Sequence, residues 1–343
     1  MSKNDDGLGR RRRLTYASGI SFVLILTLIY LENFAAWPGG LVAIVVFAPQ
    51  HGFAVLPLLL ALVALRARRF PLFALNALAL GAWAFGLLGW NVPFSALNPL
   101  RPANTSWRIM TYNVQRGERG LPELMAVVAR ENPAILCLQE TQDPPPGRSF
   151  PGSAIRTGLR GWNSARGGDV MTLSRFPLLS ERTYPLSGAR RVLETVWQTP
   201  QGAVRVLNVH ITKSDAEKQL QERQWSVFSS QLATNARRAA QTRLAQLPAL
   251  ETAIERDQNT PLIMAGDFNS PPRGPFYRAL TASLDDAWTQ GGWGNAATFP
   301  SRWPLVGIDH IFLRGARATR AYSPVSRASD HLPLIADVVL ETR

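Results

Sequence analysis

Between Leu14 and Leu65 the sequence carries one ionisable acidic or basic side chain apart from His51, namely Glu32. Nothing else constrains the chain so tightly, because a soluble domain interleaves charge with its apolar residues and this stretch does not. Leu14–Leu31 is apolar over about the 20 residues a helix needs to cross a bilayer. It is long for a signal peptide and no small-residue cleavage site follows it. A second run, 37–65, is long enough for one tilted span, but Pro49-Gln50-His51-Gly52 interrupts it and offers a re-entrant hairpin as the alternative, with His51 lining the break. A third run, 70–90, has Asn76 as its one strongly polar residue. Trp37 and Trp90 stand where interfacial aromatics belong, and Arg10–Arg13 and Arg66, Arg68 and Arg69 form two basic clusters. The positive-inside rule puts both clusters in the cytoplasm. The expectation is a multi-pass anchor over residues 1–91 with three helices (about 14–31, 37–65 and 70–90) and everything after residue 91 outside the cytoplasm.

Residues 92–106, with three prolines and two asparagines, read as a linker, and 107–343 alternate polar and apolar segments as a soluble domain does. The net charge of +13 divides between the two parts: eight Lys/Arg face three Asp/Glu before residue 101, and 29 face 21 after it. Both parts are positive, which favours anionic partners such as nucleic acid, phospholipid head groups or phosphorylated small molecules. Cys137 is the one cysteine, which excludes an internal disulfide and a thiolate metal site, and its place in the apolar run Ala134–Leu138 makes it a core residue.

From Trp107 onward strand-like runs recur at Arg108–Val114, Ala134–Gln139, Val170–Leu173, Glu194–Thr199, Ala203–Ile211, Leu262–Ala265, Asp309–Leu313 and Ala336–Leu340. Leu121–Glu131 puts Leu121, Leu124, Val127 and Val128 on one helical face and stops before Pro133. Residues 215–256 are mostly helix-forming with a break at Pro248, and 274–282 is a short further helix. Hairpins mixed with helices, rather than strict strand–helix alternation, predict an α/β fold of two packed sheets flanked by helices.

The polar oddities of this domain gather at strand ends. In Leu262–Asn269 an apolar run meets Gly266 and then presents Asp267 and Asn269, which extended backbone would turn to one side while Phe268 enters the core. Asn113 ends the first strand, and Gln139-Glu140 closes the second. Asn208 and His210 share a face, Asp309-His310 opens a strand, and Ser329-Asp330-His331 precedes another. Taken singly each fits a satisfied buried amide, an Asx turn or a core histidine. Jointly they do not, because all three histidines of the domain and three of its carboxylates occupy such positions.

The ordered blocks TYNV, LQE, NVH, GDFN, IDHIF and SDH resemble the endonuclease/exonuclease/phosphatase superfamily, with its deoxyribonuclease I-like two-sheet sandwich, over about residues 107–341. The stretch from His210 to Pro261 is longer and more helical than in the nucleases of that superfamily. The resemblance implies hydrolysis of a phosphoester by in-line attack of water, assisted by a divalent metal. It makes Glu140 the principal metal ligand, with Asn113 and Asp330 as further ligands or near neighbours. Oxygen donors of that kind suit Mg²⁺ or Mn²⁺. Asp267 and Asn269 are expected to position the attacking water, and His331, oriented by Asp309, to take its proton, with Asp267 as the competing base. His210 is expected to stabilise charge on the phosphoryl group, Asn113 and Asn208 to touch the bound phosphate, and His310 to be structural.

The reading that follows is a membrane-anchored, metal-dependent phosphoesterase. A linker of about 15 residues keeps its catalytic domain within a few tens of ångströms of the bilayer, which favours a lipid or lipid-linked phosphate substrate. An extracytoplasmic nuclease is the alternative, with nucleic acid as its partner, and Trp162, Trp288, Trp293 and Trp303 lie in loop-like stretches suited to a base or an acyl chain. A non-catalytic binding module on the same fold is the third reading. No protein partner is indicated.

Overall fold

The computed structural model describes residues 3–34, 40–94, 106–142, 152–186, 190–213 and 232–341. Most of the expected linker 92–106, and residues 214–231 at the start of the helical stretch after His210, lie outside them. Twelve strands form two six-stranded sheets. In chain order they are β1 (Trp107–Asn113), β2 (Ile135–Gln139), β3 (Asn163–Gly167), β4 (Val170–Ser174), β5 (Leu178–Pro185), β6 (Arg191–Thr199), β7 (Gly202–His210), β8 (Leu262–Asp267), β9 (Asp285–Asp286), β10 (Asp309–Arg314), β11 (Ala316–Tyr322) and β12 (Leu334–Leu340). One sheet runs β11-β12-β1-β2-β4-β3 and the other β5-β6-β7-β8-β10-β9. Each has one parallel pair near its middle, β1 with β2 and β7 with β8. The two-sheet α/β sandwich expected from the sequence is therefore the fold of this domain.

The inner faces pack against each other through Ile109, Ile135, Cys137, Trp197, Val206, Ile263, Ala265 and Ile311, all fully buried. Burying each large aliphatic or aromatic side chain of that kind contributes roughly 1.5–3 kcal/mol. Cys137 belongs to this layer, and burial pushes its thiol up to about 12, so it is a packing residue and not a nucleophile. The outer face of the first sheet is covered by the helix Leu121–Glu131, whose Leu124, Val127 and Val128 pack on Met110 and Tyr112. Helices Leu247–Glu255 and Gly274–Thr281 cover the second sheet, over Leu207, Met264 and Phe312.

Strand alternation explains where the polar residues go. Successive inward positions read Ile109, Thr111, Asn113 on β1 and Ile135, Cys137, Gln139 on β2. They read Val206, Asn208, His210 on β7 and Ile263, Ala265, Asp267 on β8. Side chains two apart share a face, so each strand turns from apolar to polar towards its carboxyl end. Because both central pairs are parallel and β10 runs antiparallel to β8 with Asp309 opposite Asp267, all the polar ends open on one edge of the sandwich. Gly266 is an interior position of β8. A Cβ there would lie 1.9 Å from the Val209 carbonyl oxygen of the neighbouring strand, so only glycine allows the approach.

The amino-terminal part forms a helical bundle. Its helices are α1 (Lys3–Phe34), α2 (Gly40–Phe47), α3 (Val55–Arg66) and α4 (Phe70–Ala82), the last continuing as a π turn to Leu87. Among the described residues two helices are long and apolar enough to cross a membrane, Arg11–Phe34 and Phe70–Leu87. The expected second run is not one continuous helix: Pro49 and the 3₁₀ turn Gln50–Ala54, which contains His51, divide it into the eight-residue α2 and the apolar segment Gln50–Arg66, each shorter than those two. Buried polar side chains clamp the bundle. Asn76 Nδ2 on α4 donates to Ser18 Oγ on α1 (2.8 Å), and Trp83 Nε1 donates to the Gln50 carbonyl (2.8 Å).

The bundle is docked on the sandwich rather than hung from it. Arg278 Nη1 donates to the Glu32 carbonyl at the end of α1 (2.7 Å). At the other exit, Asn91 pairs with Gly294 through both backbone groups, and its side chain donates to the Gly292 and Trp288 carbonyls (2.7 and 2.9 Å).

Candidate active site

The polar edge of the sandwich has a floor and two rims. The floor is a hydrogen-bonded layer joining the sheets. Gln139 Nε2 donates to Asn208 Oδ1 (2.8 Å), and Asn208 Nδ2 donates to the Met171 carbonyl (2.9 Å) and towards Leu138 O and Thr172 Oγ1 (3.2 Å each). Asn208 is fully buried and both ends of its amide are engaged. It lies on the same face as His210, as expected, but a layer beneath it. Its expected contact with bound phosphate is therefore corrected: Asn208 ties the two sheets together.

Above the floor Asn113, Glu140, His210, Asp267, Asp309 and His331 converge. Asn113 Nδ2 donates to Asp267 Oδ2 (3.0 Å) and to Glu140 Oε1 (3.2 Å), spanning the gap between sheets. The Nδ1 of His331 donates to Asp309 Oδ2 (2.9 Å), and its Nε2 lies 3.8 Å from Asp267 Oδ2. The Nε2 of His210 lies 3.5 Å from that same oxygen and 3.9 Å from Glu140 Oε1, with no hydrogen-bond partner of its own. Asp267, Asp309 and His331 are buried together closely enough for their donor atoms to share one ion. Nδ1 of His331 is committed to Asp309, which leaves Nε2, on the Asp267 side, as its free nitrogen.

The charges follow from this packing. Burial alone would raise the pKa of Asp267, but His331, His210, Lys213 and the Asn113 amide reverse it and hold the carboxylate well below its usual range. Burial works against a charged His331, yet Asp309 and Asp267 prevail and push the imidazole up to about 9. Asp309 is raised, by burial above all and by the charge of Asp267, against the pull of His331. The local backbone is strained as well. Gln115, Arg116, Glu140 and Asn269, with φ of 49°, 51°, 57° and 48°, are left-handed without being glycine, and all four border the cleft.

Two expected positions differ. Asn269 does not continue the strand, because its left-handed backbone folds its own N–H onto Asp267 Oδ1 (2.9 Å) and sends Nδ2 to the Ile211 carbonyl (2.9 Å). It fixes the orientation of Asp267 and the end of β7, with Phe268 in the core as expected. Asp330 was expected as a metal ligand or a near neighbour of one, beside His331. Its carboxylate accepts from Ser329 Oγ (3.2 Å), its N–H donates to Gln115 Oε1 (3.1 Å) and its carbonyl accepts from Ser301, none of them a contact with Glu140 or Asn113. It acts at a distance, helping to raise His331. His310 is structural as expected, its Nε2 donating to the Ser270 carbonyl (2.9 Å) inside a ring cluster with Phe268, Tyr277 and Phe312.

One site residue was missed. Asp169, in the tight turn between β3 and β4, reaches across to His210 Nδ1 (2.7 Å), so each cleft histidine has a carboxylate behind it. His210 and Arg190 lower the pKa of Asp169 against its burial. Gly-Gly-Asp before a strand carries only a turn signal, and no spacing rule links it to a residue 41 positions on. Of the loop tryptophans, Trp288 is core and Trp162 stacks under Arg175, whereas Trp293 and Trp303 are exposed.

A metal fits the first rim. The Glu140 carboxylate keeps one-fifth of its surface exposed, and beside it stand the Asn113 amide, Arg116 at 3.9 Å and the Nε2 of His210, also at 3.9 Å. A carboxylate and an amide are hard oxygen donors suited to Mg²⁺ or Mn²⁺.

A two-sheet sandwich with paired imidazole–carboxylate groups facing an acidic, oxygen-lined rim defines a hydrolase of phosphate esters. The comparisons make the class specific. The Endonuclease/Exonuclease/phosphatase family model matches residues 110–331, and the chain belongs to that family. It is similar to the uncharacterized protein YbhP of Escherichia coli strain K12, 26% identical over 269 residues that cover 68% of this chain and 97% of that one. A UPF0294 protein of Vibrio cholerae is 39% identical over 82 residues, 23% of this chain and 28% of the other. Among solved structures, ANGEL2, a 2′,3′-cyclic phosphatase determined with adenosine-2′,3′-vanadate, superposes with a TM-score of 0.52 at 18% identity, over 69% of this chain and 96% of that one, which is a likeness of fold.

Proposed function

We propose that the protein is a membrane-anchored, divalent-metal-dependent phosphoesterase whose catalytic domain works outside the cytoplasm on a lipid-linked phosphate or pyrophosphate. The observation that carries the reading is the buried, unpartnered Nε2 of His210, held by Asp169 and aimed between Glu140 and Asp267. A buried nitrogen without a partner is costly unless a ligand completes it, and a phosphoryl oxygen is the acceptor this acidic, cationic-backed cleft suits. Glu140 and Asn113 would hold Mg²⁺ or Mn²⁺, and the ion would supply Lewis-acid polarisation of the phosphoryl group. Asp267, fixed by Asn113 and by the Asn269 N–H, orients a water on the side of His331. His331 moves the proton at Nε2 while Asp309 holds its tautomer. His210 donates to the phosphoryl oxygen as charge builds there.

The disposition of the helices supports the membrane side of the proposal. Arg10–Arg13 lie towards the start of α1, and Arg66, Arg68 and Arg69 lie at the turn from α3 to α4. The opposite ends of α1 and α4, at Glu32 and Asn91, are the ones that touch the catalytic domain. With both basic clusters inside, the domain is outside. Glu32 and Asn91 also hold the domain against the bundle, close to where lipid head groups lie.

Phosphate release from lipid phosphates and pyrophosphates with Mg²⁺, run beside plasmid DNA and RNA and against Asp267→Ala and His331→Ala, tests the reading. Release from a lipid that both substitutions abolish is the expected result. Cleavage of nucleic acid alone would make the protein an anchored nuclease, and silence on every substrate would return it to a binding module.

A further inference from the structure

The loop that follows Asp267 is held from the membrane side. Asn269 presents its carbonyl to Arg243 Nε, and the buried Arg243 guanidinium lies 4.4 Å over the ring of Phe47, the last residue of α2. Four residues beyond Asn269, Arg273 donates to the carbonyls of Val46 (2.7 Å) and Ala48 (3.2 Å) at the end of the same helix. Its Nε lies 3.4 Å from Glu32 Oε1 on α1, and Gln50 Nε2 donates to that same carboxylate oxygen (2.8 Å). Val46 and Phe47 line one small cavity together with Arg243, Ser270, Arg273 and Phe276. A helix that served only as a tether would not need to close a cavity against the residues next to a catalytic carboxylate.

We propose that Arg243 and Arg273 are positioning residues that build α2 and the end of α1 into the active-site scaffold, so that the docking of the membrane hairpin sets the turnover rate. The route is short and continuous. Phe47 and the α2 carbonyls fix two guanidinium groups, and these fix the Asn269 carbonyl and the chain at Arg273. Asn269, so held, directs its N–H to Asp267 Oδ1 and its amide to the end of β7. If α2 shifts, the orientation of Asp267 is the first thing lost, while the cleft that binds the phosphate keeps its other walls. The inference rests on Asp267 acting in the chemistry as proposed above.

The test uses full-length protein in lipid nanodiscs with Mg²⁺. Three quantities are read: kcat and KM for bis-p-nitrophenyl phosphate, hydrogen–deuterium exchange over residues 266–274, and Tm. Phe47→Leu keeps apolar volume but removes the ring face, and Phe47→Tyr keeps the face. Phe47→Leu and Arg243→Lys are expected to lower kcat roughly 10- to 100-fold with KM nearly constant, as small misplacements of a catalytic group do. Exchange over 266–274 rises in both and Phe47→Tyr stays close to wild type. Unchanged kcat and unchanged exchange in Phe47→Leu would overturn the proposal, and so would losses that Phe47→Tyr shares. If wild type does not hydrolyse the probe, the phosphoesterase reading fails on that measurement, while exchange over 266–274 still decides whether α2 holds the loop.

Discussion

The two rims of the cleft are built differently. The first sheet contributes Asn113 and Glu140, a partly exposed carboxylate on a left-handed backbone with an amide beside it. The other rim takes His210, Asp267 and Asp309 from the second sheet and His331 from the loop that leads into β12 of the first, all buried, with each histidine backed by an aspartate. An exposed oxygen rim can exchange a hydrated cation with solvent, whereas a buried imidazole–carboxylate rim keeps protons in fixed places. Asn113 links the rims through its hydrogen bonds to Glu140 and Asp267. On the proposed function, one rim neutralises charge and the other moves protons.

Asp267 touches both rims, so its loss should be the most damaging. Asp267→Asn is expected to lower kcat by roughly 10³-fold, within the range of positioned acid–base groups, under saturating Mg²⁺. Next comes the proton-handling rim. His331→Ala should cost roughly 10²- to 10³-fold, and adding Asp309→Asn to it should cost little more, because the two act as one unit. Independent, multiplying losses in that double variant would break the division between rims. Glu140→Gln should act through the cation: the Mg²⁺ concentration for half-maximal rate rises, and excess Mg²⁺ restores part of the activity, which no concentration of Mg²⁺ should do for His331→Ala. Asp169→Asn, which leaves His210 in place but removes what orients it, should cost about tenfold, or ~1.4 kcal/mol in the barrier. A loss equal to that of His331→Ala would show that the two histidines share one task.

Much of this division was legible in the sequence because strands have a period of two. Asn113, Gln139, His210 and Asp267 close strands whose inward residues begin apolar, so face and end could both be read from the chain. Depth was not legible: Asn208 shares the face of His210, and only the pairing across sheets puts it in the floor. Backbone handedness was not legible either, which is why Asn269 reads as a strand residue and is instead a left-handed turn. Strand β5 escaped notice because it is an exposed edge strand whose two faces both meet solvent, so it shows no alternation. Asp169 and the α2 contacts of Arg243 and Arg273 are long-range partnerships between elements, and no local pattern encodes them. In the helical part composition marked the apolar segments, but whether Pro49 leaves one span or divides it depends on what α2 packs against.

The mildest expected effect is on stability, and its sign separates the rims again. The folded-state pKa of His331, about 9, lies above the ordinary value for histidine. Protonation of His331 therefore stabilises the folded protein fully below about pH 6.5, and that stabilisation is lost as pH rises through about 9. Asp267 is depressed, so its contribution is present above the ordinary carboxylate range near 4 and is lost as pH falls below it. Both groups belong to the buried rim. Protein stripped of metal with a chelator should lose roughly a few degrees of Tm between pH 7 and 10. His331→Asn should flatten that alkaline limb, and Glu140→Gln should leave it in place. If Glu140→Gln flattened the limb instead, the buried charges would be answering to the exposed rim, and the two sides of the cleft would titrate as one.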